Sequence, residues 1–516
     1  MINRLLRMSF LGFILFYCLF NLTSNCADLD LWGYLSFGRL FWQEQGFPYQ
    51  DVFAYVPTRN LWVYHEWLTG VLYYPLFLHL GPASLQTLKY ALALGTLFLV
   101  YLTAVRRGAH PVVAGLLTAV VAGGIKASYA PVRAQVFTYF FFALFLYVLE
   151  QARLRNRWRG LWLMPLILIP WCNLHGGFVA GLGLIGLYAA GEFLARRPFW
   201  PYLLLSGLAT LINPYGLEYW RYIVRAVSMP RPFIDEWQSI FFHYQKDPQT
   251  FGIVIFFLVL LVGLGLFAMW RCRWREITSS LVLAVTLAMG LRHGRHLTFF
   301  FLAWGAYIPV CFNVQVNYLR SSQRLQNFGG RVPVKLAALV ALTALSLLFA
   351  TGFAKRQPFR LNVPASAASR LPFPYPVGAV KFIKEKGLSG NLLSIFDWGE
   401  YLMWHLYPQC RVGFDGRYET VYPHEVEKRY TEFQTAGTQW RQFLENYPPD
   451  LILLRPQAKI TGLIREDPGW REIYEDEGCV LFGKKPPTPQ PCEQERAPSG
   501  SASRDPALAS VRSRGF

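Results

Sequence analysis

The sequence predicts an α-helical polytopic membrane protein that ends in a soluble α/β domain. Three observations lead to this fold class. Hydrophobic residues make up 53% of the chain and charged residues only 16%, with a mean hydropathy of +0.25. Apolar runs long enough to cross a bilayer recur along residues 1–353. From residue 354 onward the composition becomes that of a soluble domain, so we expect two structural parts.

The apolar runs predict about eleven transmembrane helices. The first run, 5–22, is flanked by Arg4 and Arg7 like a signal peptide, but no small-residue cleavage site follows it, so we expect a retained span. The other runs cover 83–105, 111–125, 134–152, 161–172, 177–194, 199–213, 251–270, 277–291, 296–313 and 332–353.

The loops between the runs alternate in charge. Placing the N-terminus in the cytoplasm puts the basic clusters near 106–107, 153–159, 196–197, 271–275 and 320–331 inside, as the positive-inside rule requires. The outer side then holds the large first loop 23–82, the loop 213–250 and the C-terminal domain. The net charge of +19 is explained by these orienting loops and by anionic lipid head groups. No contiguous basic face carries exposed aromatic residues, so we expect no nucleic-acid partner.

The outer segments have a recognisable local organisation. In the first loop, 71–80 is apolar but too short to span, which predicts an interfacial or re-entrant helix. In domain 354–485, short apolar runs predict strands and the segments between them predict helices, as in a small α/β domain. The predicted strands are 391–396, 410–414 and 450–454, the helices 400–406 and 425–433, and the closing hairpin 469–483. Residues 486–516 are rich in Pro, Ser and Ala, which predicts a disordered tail.

Asp28 and Asp30 are the candidate catalytic residues. They follow the first span directly, in Ala27-Asp-Leu-Asp-Leu-Trp-Gly-Tyr, which places two carboxylates at a membrane surface among apolar and aromatic residues. We expect Asp30 to act as a general base, with Asp28 as the alternative base. Two other interpretations remain open: a helix N-cap for 31–42, and a divalent cation shared by the pair.

Further polar residues gather at the outer ends of separate spans, where ionisable groups are functional candidates. The candidate substrate-binding residues are His65, Glu66, Asn173, His175, Glu236, Arg292, His293, Arg295 and His296. The cluster 292–296 breaks the positive-inside trend and suits a phosphate. Structural alternatives stand beside these roles: an interfacial anchor for His65, a glycine turn for 173–177, and a solvated hairpin for 292–296. No set of residues has the spacing of a zinc site.

Several of these motifs occur together in an ordered set that resembles a family of bacterial multi-pass proteins related to GT-C glycosyltransferases. The motifs are Asp28-Leu-Asp-Leu-Trp-Gly-Tyr, Tyr64-His-Glu-Trp, Asn173-Leu-His-Gly-Gly, Ile212-Asn-Pro-Tyr-Gly and Phe396-Asp-Trp-Gly-Glu-Tyr, and the resemblance covers about residues 20–485. Protein O-mannosyltransferases and lipid A aminoarabinose transferases are similar relatives. Gly33 departs from the pattern, since relatives of the Asp-Leu-Trp-Trp-His type carry a bulkier residue there.

The resemblance implies a GT-C-like enzyme in the bacterial inner membrane. It would move a sugar from a polyprenyl-phosphate donor to an envelope lipid, glycan or protein acceptor on the extracytoplasmic side, with an acidic residue of the first outer loop in catalysis. The alternative is a non-catalytic transporter or a scaffold of envelope assembly. A transporter would be expected to show internal repeats or broken helices, and the sequence shows no such repeat.

Overall fold

The computed structural model describes residues 1–44, 46–193, 199–229, 231, 234–323, 327, 331–363 and 374–485. The predicted tail 486–516 lies outside the described residues. The helices of the first part are, in chain order, α1 Ile2–Asn21, α2 Leu31–Gln43, α3 Trp67–Leu80, α4 Pro82–Arg106, α5 Pro111–Gly124, α6 Lys126–Tyr129, α7 Gln135–Arg155, α8 Leu163–Leu174, α9 Phe178–Gly191, α10 Trp200–Ala209, α11 Leu217–Ser228, α12 Ile240–Lys246, α13 Pro248–Arg271, α14 Ile277–Arg292, α15 Leu297–Tyr307, α16 Asn313–Ser321 and α17 Val332–Lys355.

Apolar helices occupy all eleven predicted runs. Over the described residues, six segments are individually long and apolar enough to cross a membrane: α1, α4, α7, α13, the stretch Gly294–Ser321 and α17. Helices α5, α9, α10 and α14 are shorter and apolar, and α8 covers the remaining run. The protein is therefore a multi-pass membrane protein, as the sequence predicts.

The bundle has a buried centre and a lipid-facing edge. Most residues of α7 are buried, whereas no residue of α17 is. Helix α17 packs along α1 through aromatic contacts, with the ring centroid of Phe349 5.1 Å from that of Tyr17 and 5.4 Å from that of Phe20. The remaining surface of α17 is apolar, and a bilayer is the environment that would cover it.

An ion-pair network joins the predicted cytoplasmic ends of several helices. Arg153 Nε lies 3.0 Å from Glu150 Oε1, and its Nη2 lies 2.7 Å from Glu276 Oε2. Arg107 pairs with Glu150 and lies 2.6 Å from the same Glu276 oxygen. Arg107 and Arg153 thus tie α4, α7 and the start of α14 together.

The C-terminal domain has the predicted α/β organisation. Strands β1 Gly390–Ser394, β2 Cys410–Val412, β3 Leu451–Leu454, β4 Trp470–Glu475 and β5 Val480–Lys484 form one sheet in the order β2-β1-β3-β5-β4. The first three strands are parallel, and β4 and β5 form the predicted closing hairpin. The helices are α18 Val377–Glu385, α19 Gly399–Leu406, α20 Tyr418–Val421, α21 His424–Gln434, α22 Arg441–Asn446 and α23 Lys459–Glu466.

The first outer loop completes this domain. Phe53 O accepts a hydrogen bond from Val412 N at 2.9 Å, and Tyr55 N donates to Val412 O at 3.1 Å, so the loop pairs with the edge strand β2. Arg417 is buried and pairs with Asp51 of the loop and with Asp415 beside it. A buried arginine between two carboxylates fixes the loop because removing any member leaves an unpaired charge. The membrane part and the C-terminal domain therefore pack as one body around the loop.

Candidate active site

Asp28 and Asp30 stand where the first outer loop enters α2, and their environments differ. Asp28 is 3% exposed, and its Oδ1 accepts a hydrogen bond from the backbone N–H of Asp30 at 3.2 Å. Asp30 occupies the N-cap position of α2, yet its side chain makes no capping hydrogen bond and is 50% exposed. The structure therefore gives Asp28 a partner within the loop and leaves the Asp30 carboxylate open to a ligand.

Arg133 joins the two aspartates to the predicted residue Glu236. Its Nε lies 2.6 Å from Asp28 Oδ1 and 3.8 Å from Asp30 Oδ2, and its Nη1 pairs with Glu236. Arg133 precedes α7 and Glu236 lies in the outer loop after α11, so three distant segments meet at one guanidinium. This arginine is absent from the residues that the sequence predicts. The same argument could have identified it, because Lys126 and Arg133 also break the positive-inside trend.

The pKa values of these three carboxyl groups are shifted in different directions. Burial raises the pKa of Asp28 to about 6 against the opposing effect of Arg133, and burial also raises the pKa of Asp30. For Glu236, burial raises the pKa, but Arg133 and Arg295 outweigh it and lower the pKa overall. A carboxylate with a raised pKa is a better proton acceptor, as a general base requires.

Glu66 forms a second carboxyl group of the site, between two predicted histidines. Its Oε1 lies 3.4 Å from His175 Nε2 and 3.7 Å from His65 Nε2. Burial raises the pKa of Glu66 to about 8, and the nearby charge of Asp30 adds to the shift. Glu66 therefore holds its proton at neutral pH and adds no negative charge to the aspartate pair.

The two histidines are neutral and fixed in orientation. Burial lowers the pKa of His65 to about 4 and lowers that of His175 well below its ordinary value. His175 Nδ1 accepts a hydrogen bond from Gly177 N–H at 2.8 Å, which places the ring proton on Nε2, toward Glu66. His65 Nδ1 lies 3.1 Å from the Tyr222 hydroxyl, and the His65 ring stacks on the Tyr222 ring.

The cluster 292–296 is organised around Trp237. The guanidinium of Arg295 lies 4.7 Å from the indole centroid, and that of Arg231 lies 4.0 Å from it. The rings of His293 and His296 approach the same indole at 5.5 Å and 5.6 Å, and His293 Nδ1 lies 2.6 Å from Trp237 O. The histidines thus pack against tryptophan. Arg295 is the member of the cluster whose charge acts on Asp30, Glu66 and Glu236.

Two predicted residues lie in other surroundings. Asn173 is buried and accepts from Trp67 Nε1 at 2.8 Å, while its amide donates to Ile169 O at 2.8 Å and Ile212 O at 2.9 Å. These bonds hold α3, α8 and the end of α10 together. Arg292 is exposed at the end of α14 and enters none of the ion pairs among the described residues.

The C-terminal domain contributes Glu400, which sequence reasoning missed. This buried carboxylate accepts a hydrogen bond from Gly33 N–H at 3.0 Å, one turn after Asp30. A Cβ at position 33 would lie 2.7 Å from Glu400 Cδ, so a larger side chain would displace Glu400. The unexpected glycine of the sequence motif is explained by this contact. Burial raises the pKa of Glu400 well above its ordinary value, with Asp30 adding to the shift.

Comparison with known proteins identifies the fold. No family model and no curated protein sequence matches the chain. The structure is similar to the apo form of the Archaeoglobus fulgidus oligosaccharyltransferase, with 13% identity and a TM-score of 0.52, covering 86% of this chain and 69% of that one. It is also similar to ArnT from Cupriavidus metallidurans bound to undecaprenyl phosphate, with 10% identity and a TM-score of 0.52, covering 92% of this chain and 96% of that one. The chain has a GT-C-like fold.

The GT-C-like frame brings most predicted site residues to one end of the bundle. Asp28, Asp30 and Glu236 meet at Arg133. Glu66, with its two histidines, and Arg295 lie close enough for charge effects: Asp30 and Arg295 both shift the pKa of Glu66. Among the described residues, no group of three or more His, Cys, Asp or Glu side chains has an arrangement that could hold a metal ion. The arrangement offers an open carboxylate, a neutral carboxylic acid and an arginine within one polar site.

Proposed function

We propose that the protein is a membrane glycosyltransferase that moves a sugar from a polyprenyl-phosphate donor to an extracytoplasmic acceptor, with Asp30 as general base. One observation carries the proposal. Asp30 is a half-exposed carboxylate without a capping hydrogen bond, placed beside the buried Asp28 and the guanidinium of Arg133. An open carboxylate in that position is available to take a proton from a bound molecule.

The reaction would be a single displacement. The acceptor oxygen attacks the anomeric carbon while its proton passes to the Asp30 carboxylate. The bond between the anomeric carbon and the phosphate oxygen breaks, and polyprenyl phosphate leaves with the electron pair, so the anomeric centre inverts. General-base catalysis contributes roughly 10²- to 10⁴-fold. Alignment of the substrates and stabilisation of the leaving phosphate would supply the rest.

Arg295 is the residue we assign to the donor phosphate. Arg133 already faces Asp28, Asp30 and Glu236, so its charge is compensated. Arg295 makes no ion pair among the described residues and is supported by the face of Trp237. A guanidinium stacked on an indole keeps its edge donors free for two phosphate oxygens.

The donor class is supported by the structural neighbours. ArnT was determined with undecaprenyl phosphate bound, and the second neighbour is an oligosaccharyltransferase. We propose a polyprenyl-phosphate sugar for this chain, with the N-terminus in the cytoplasm and the C-terminal domain outside the inner membrane. The acceptor would be an envelope lipid, glycan or protein. In the alternative interpretation, a divalent cation shared by Asp28 and Asp30 supplies positive charge between the carboxylates. We expect Arg133 to supply that charge instead.

The test compares glycans in a host that lacks the protein with those after complementation. Wild type, Asp28→Asn and Asp30→Asn would be expressed at equal level, and envelope glycans and polyprenyl-phosphate sugars measured by mass spectrometry. Loss of one glycan, accumulation of its lipid-linked donor and rescue by wild type but not by Asp30→Asn would support the transferase. Full rescue by both variants would overturn it in favour of a scaffold or transporter.

A further inference from the structure

Lys89 is a buried lysine in the outer half of α4, 1% exposed. No carboxylate pairs with it among the described residues. Its ammonium group instead donates to two backbone carbonyls, Ser24 O at 3.1 Å and Ala130 O at 2.9 Å. The amino group also lies 4.6 Å from the centre of the Tyr90 ring. A buried amino group without a carboxylate partner is unfavourable compared with an apolar side chain of the same length. The position of those carbonyls suggests what the lysine does.

The two carbonyls belong to the segments that carry the site. Ser24 lies four residues before Asp28, and Ala130 lies three residues before Arg133. These segments lie before and after α4 in the sequence, and Lys89 contacts the backbone of both. Asp28 and Arg133 then meet at 2.6 Å beyond the lysine. The ammonium group therefore holds together the start of the aspartate loop and the start of the arginine segment.

A second side chain of α4 supports the same loop. Gln86, one turn before Lys89, donates from Nε2 to Ser24 O at 3.1 Å and to Arg360 O at 3.1 Å. The chain just beyond Arg360 pairs with the loop as well: Ala27 N donates to Asn362 O at 2.9 Å. Among the described residues, Gln86 makes no hydrogen bond to the Ala130 carbonyl, whereas Lys89 does, so Lys89 adds a second link between the two charged segments beside the Asp28–Arg133 ion pair.

We propose that Lys89 is a positioning residue, which fixes the Asp28 loop against the Arg133 segment and thereby sets the direction of Asp30. The lysine is buried and bonds to backbone carbonyls, so we assign it no role in binding substrate. The part of the proposal that concerns turnover rests on the proposed transferase function. The part that concerns the two segments does not, because their order can be measured without any substrate.

The experiment uses the full-length protein in detergent or nanodiscs, with Lys89→Met, Lys89→Arg and, as matched control, Thr103→Val. Thr103 is a buried polar residue of the same helix whose hydroxyl bonds only within α4. Hydrogen–deuterium exchange would be followed by mass spectrometry in peptides covering 24–31 and 130–135. Transfer from a polyprenyl-phosphate sugar would be measured as kcat and KM.

Lys89→Met should raise exchange in both segments and in few others, and should lower kcat by about 10²-fold with little change in KM, as expected for misplaced catalytic groups. Lys89→Arg, which keeps the donors, should restore much of both effects, and Thr103→Val should show neither. Unchanged exchange in the two segments of Lys89→Met would overturn the proposal even if activity fell. Raised exchange with no transfer by the wild type would leave positioning standing and reject the transferase. If Lys89→Met does not fold, two other variants test the assignment. Wild-type exchange in Lys89→Arg, together with raised exchange of Gln86→Leu in 24–31 but not in 130–135, would support it. Raised exchange of Gln86→Leu in 130–135 but not in 24–31 would reject it.

Discussion

The acidity of Glu66 predicts an unusual dependence of stability on pH. Its pKa is about 8 in the folded protein, compared with an ordinary value of 4.5. Between these two values the folded state keeps a proton that the unfolded state releases, so stability must fall as pH rises and then level off above about 8. Replacing Glu66 with Gln removes this dependence while keeping the size and polarity of the protonated acid.

The magnitude follows from the two pKa values. Each unit of difference corresponds to ~1.36 kcal/mol, so a difference of about 3.5 units corresponds to about 5 kcal/mol as an upper limit. Glu66→Gln should therefore match wild type near pH 5 and become progressively more stable relative to it up to about pH 9. Other groups, including Asp28, also titrate in this range, but they are common to both proteins and cancel in the comparison.

The assay is thermal unfolding from pH 5 to pH 9.5, followed by intrinsic tryptophan fluorescence in one detergent at one ionic strength. Glu385→Gln serves as control, because Glu385 is an exposed carboxylate of α18. The gap between Glu66→Gln and wild type should widen with pH, and that of the control should not. Parallel curves for Glu66→Gln and wild type would refute the assignment of a protonated Glu66. A Glu66→Gln variant that loses stability relative to wild type as pH rises would refute it as well, since it would mean that the ionised form is the stabilising one.

The other predictions concern catalysis and packing. Asp30→Asn should lower kcat by about 10²- to 10⁴-fold with little change in donor KM, measured by transfer of radiolabelled sugar; an unchanged kcat would exclude Asp30 as the base. Arg295→Met should lower kcat/KM by roughly 10- to 100-fold, the size of a lost charge-assisted hydrogen bond, while the exposed Arg292→Met should match wild type; equal losses in both would contradict the choice of Arg295. Gly33→Ala should destabilise the protein by about 1–3 kcal/mol through its clash with Glu400, and adding Glu400→Ala should recover part of the melting temperature. Chelation with EDTA should leave turnover intact because Arg133 already compensates the carboxylates; a loss that Mg²⁺ restores would favour the shared-cation alternative.

The fold could be predicted well because its determinants are local in the sequence. A span needs an uninterrupted apolar run, and each of the eleven runs has its helix. The strands and the closing hairpin of the C-terminal domain also follow from short patterns. The pairing of 53–55 with β2 could not be predicted in this way, because it joins segments some 350 residues apart and a single bridge carries no periodic signal.

The acidic members of the candidate site could be chosen from the sequence, but their partners could not. Asp28, Asp30, Glu66 and Glu236 are candidates because carboxylates at membrane depth are rare. Arg133 and Glu400 complete the site from a short turn and from a separate domain, and no spacing links them to Asp30. In the segment 292–296, residues that are adjacent in the sequence have different surroundings in the structure. The sequence suggested one phosphate site, but Arg292 lies at the surface and His293 and His296 pack on Trp237.

The charge arrangement explains why so many carboxyl groups can share one site. Asp28, Asp30 and Glu236 face a single arginine, and three ionised carboxylates so close together would repel one another. Glu66, with a pKa of about 8, keeps its proton at neutral pH, and burial and the charge of Asp30 raise the pKa of Glu400 as well, so both groups add hydrogen-bonding capacity while their ionisation is disfavoured. A phosphate arriving at such a site would meet net negative charge unless a free cation faced it. Arg295, held against Trp237 and in no ion pair among the described residues, is the group that we propose to face an anionic donor beside a carboxylate base.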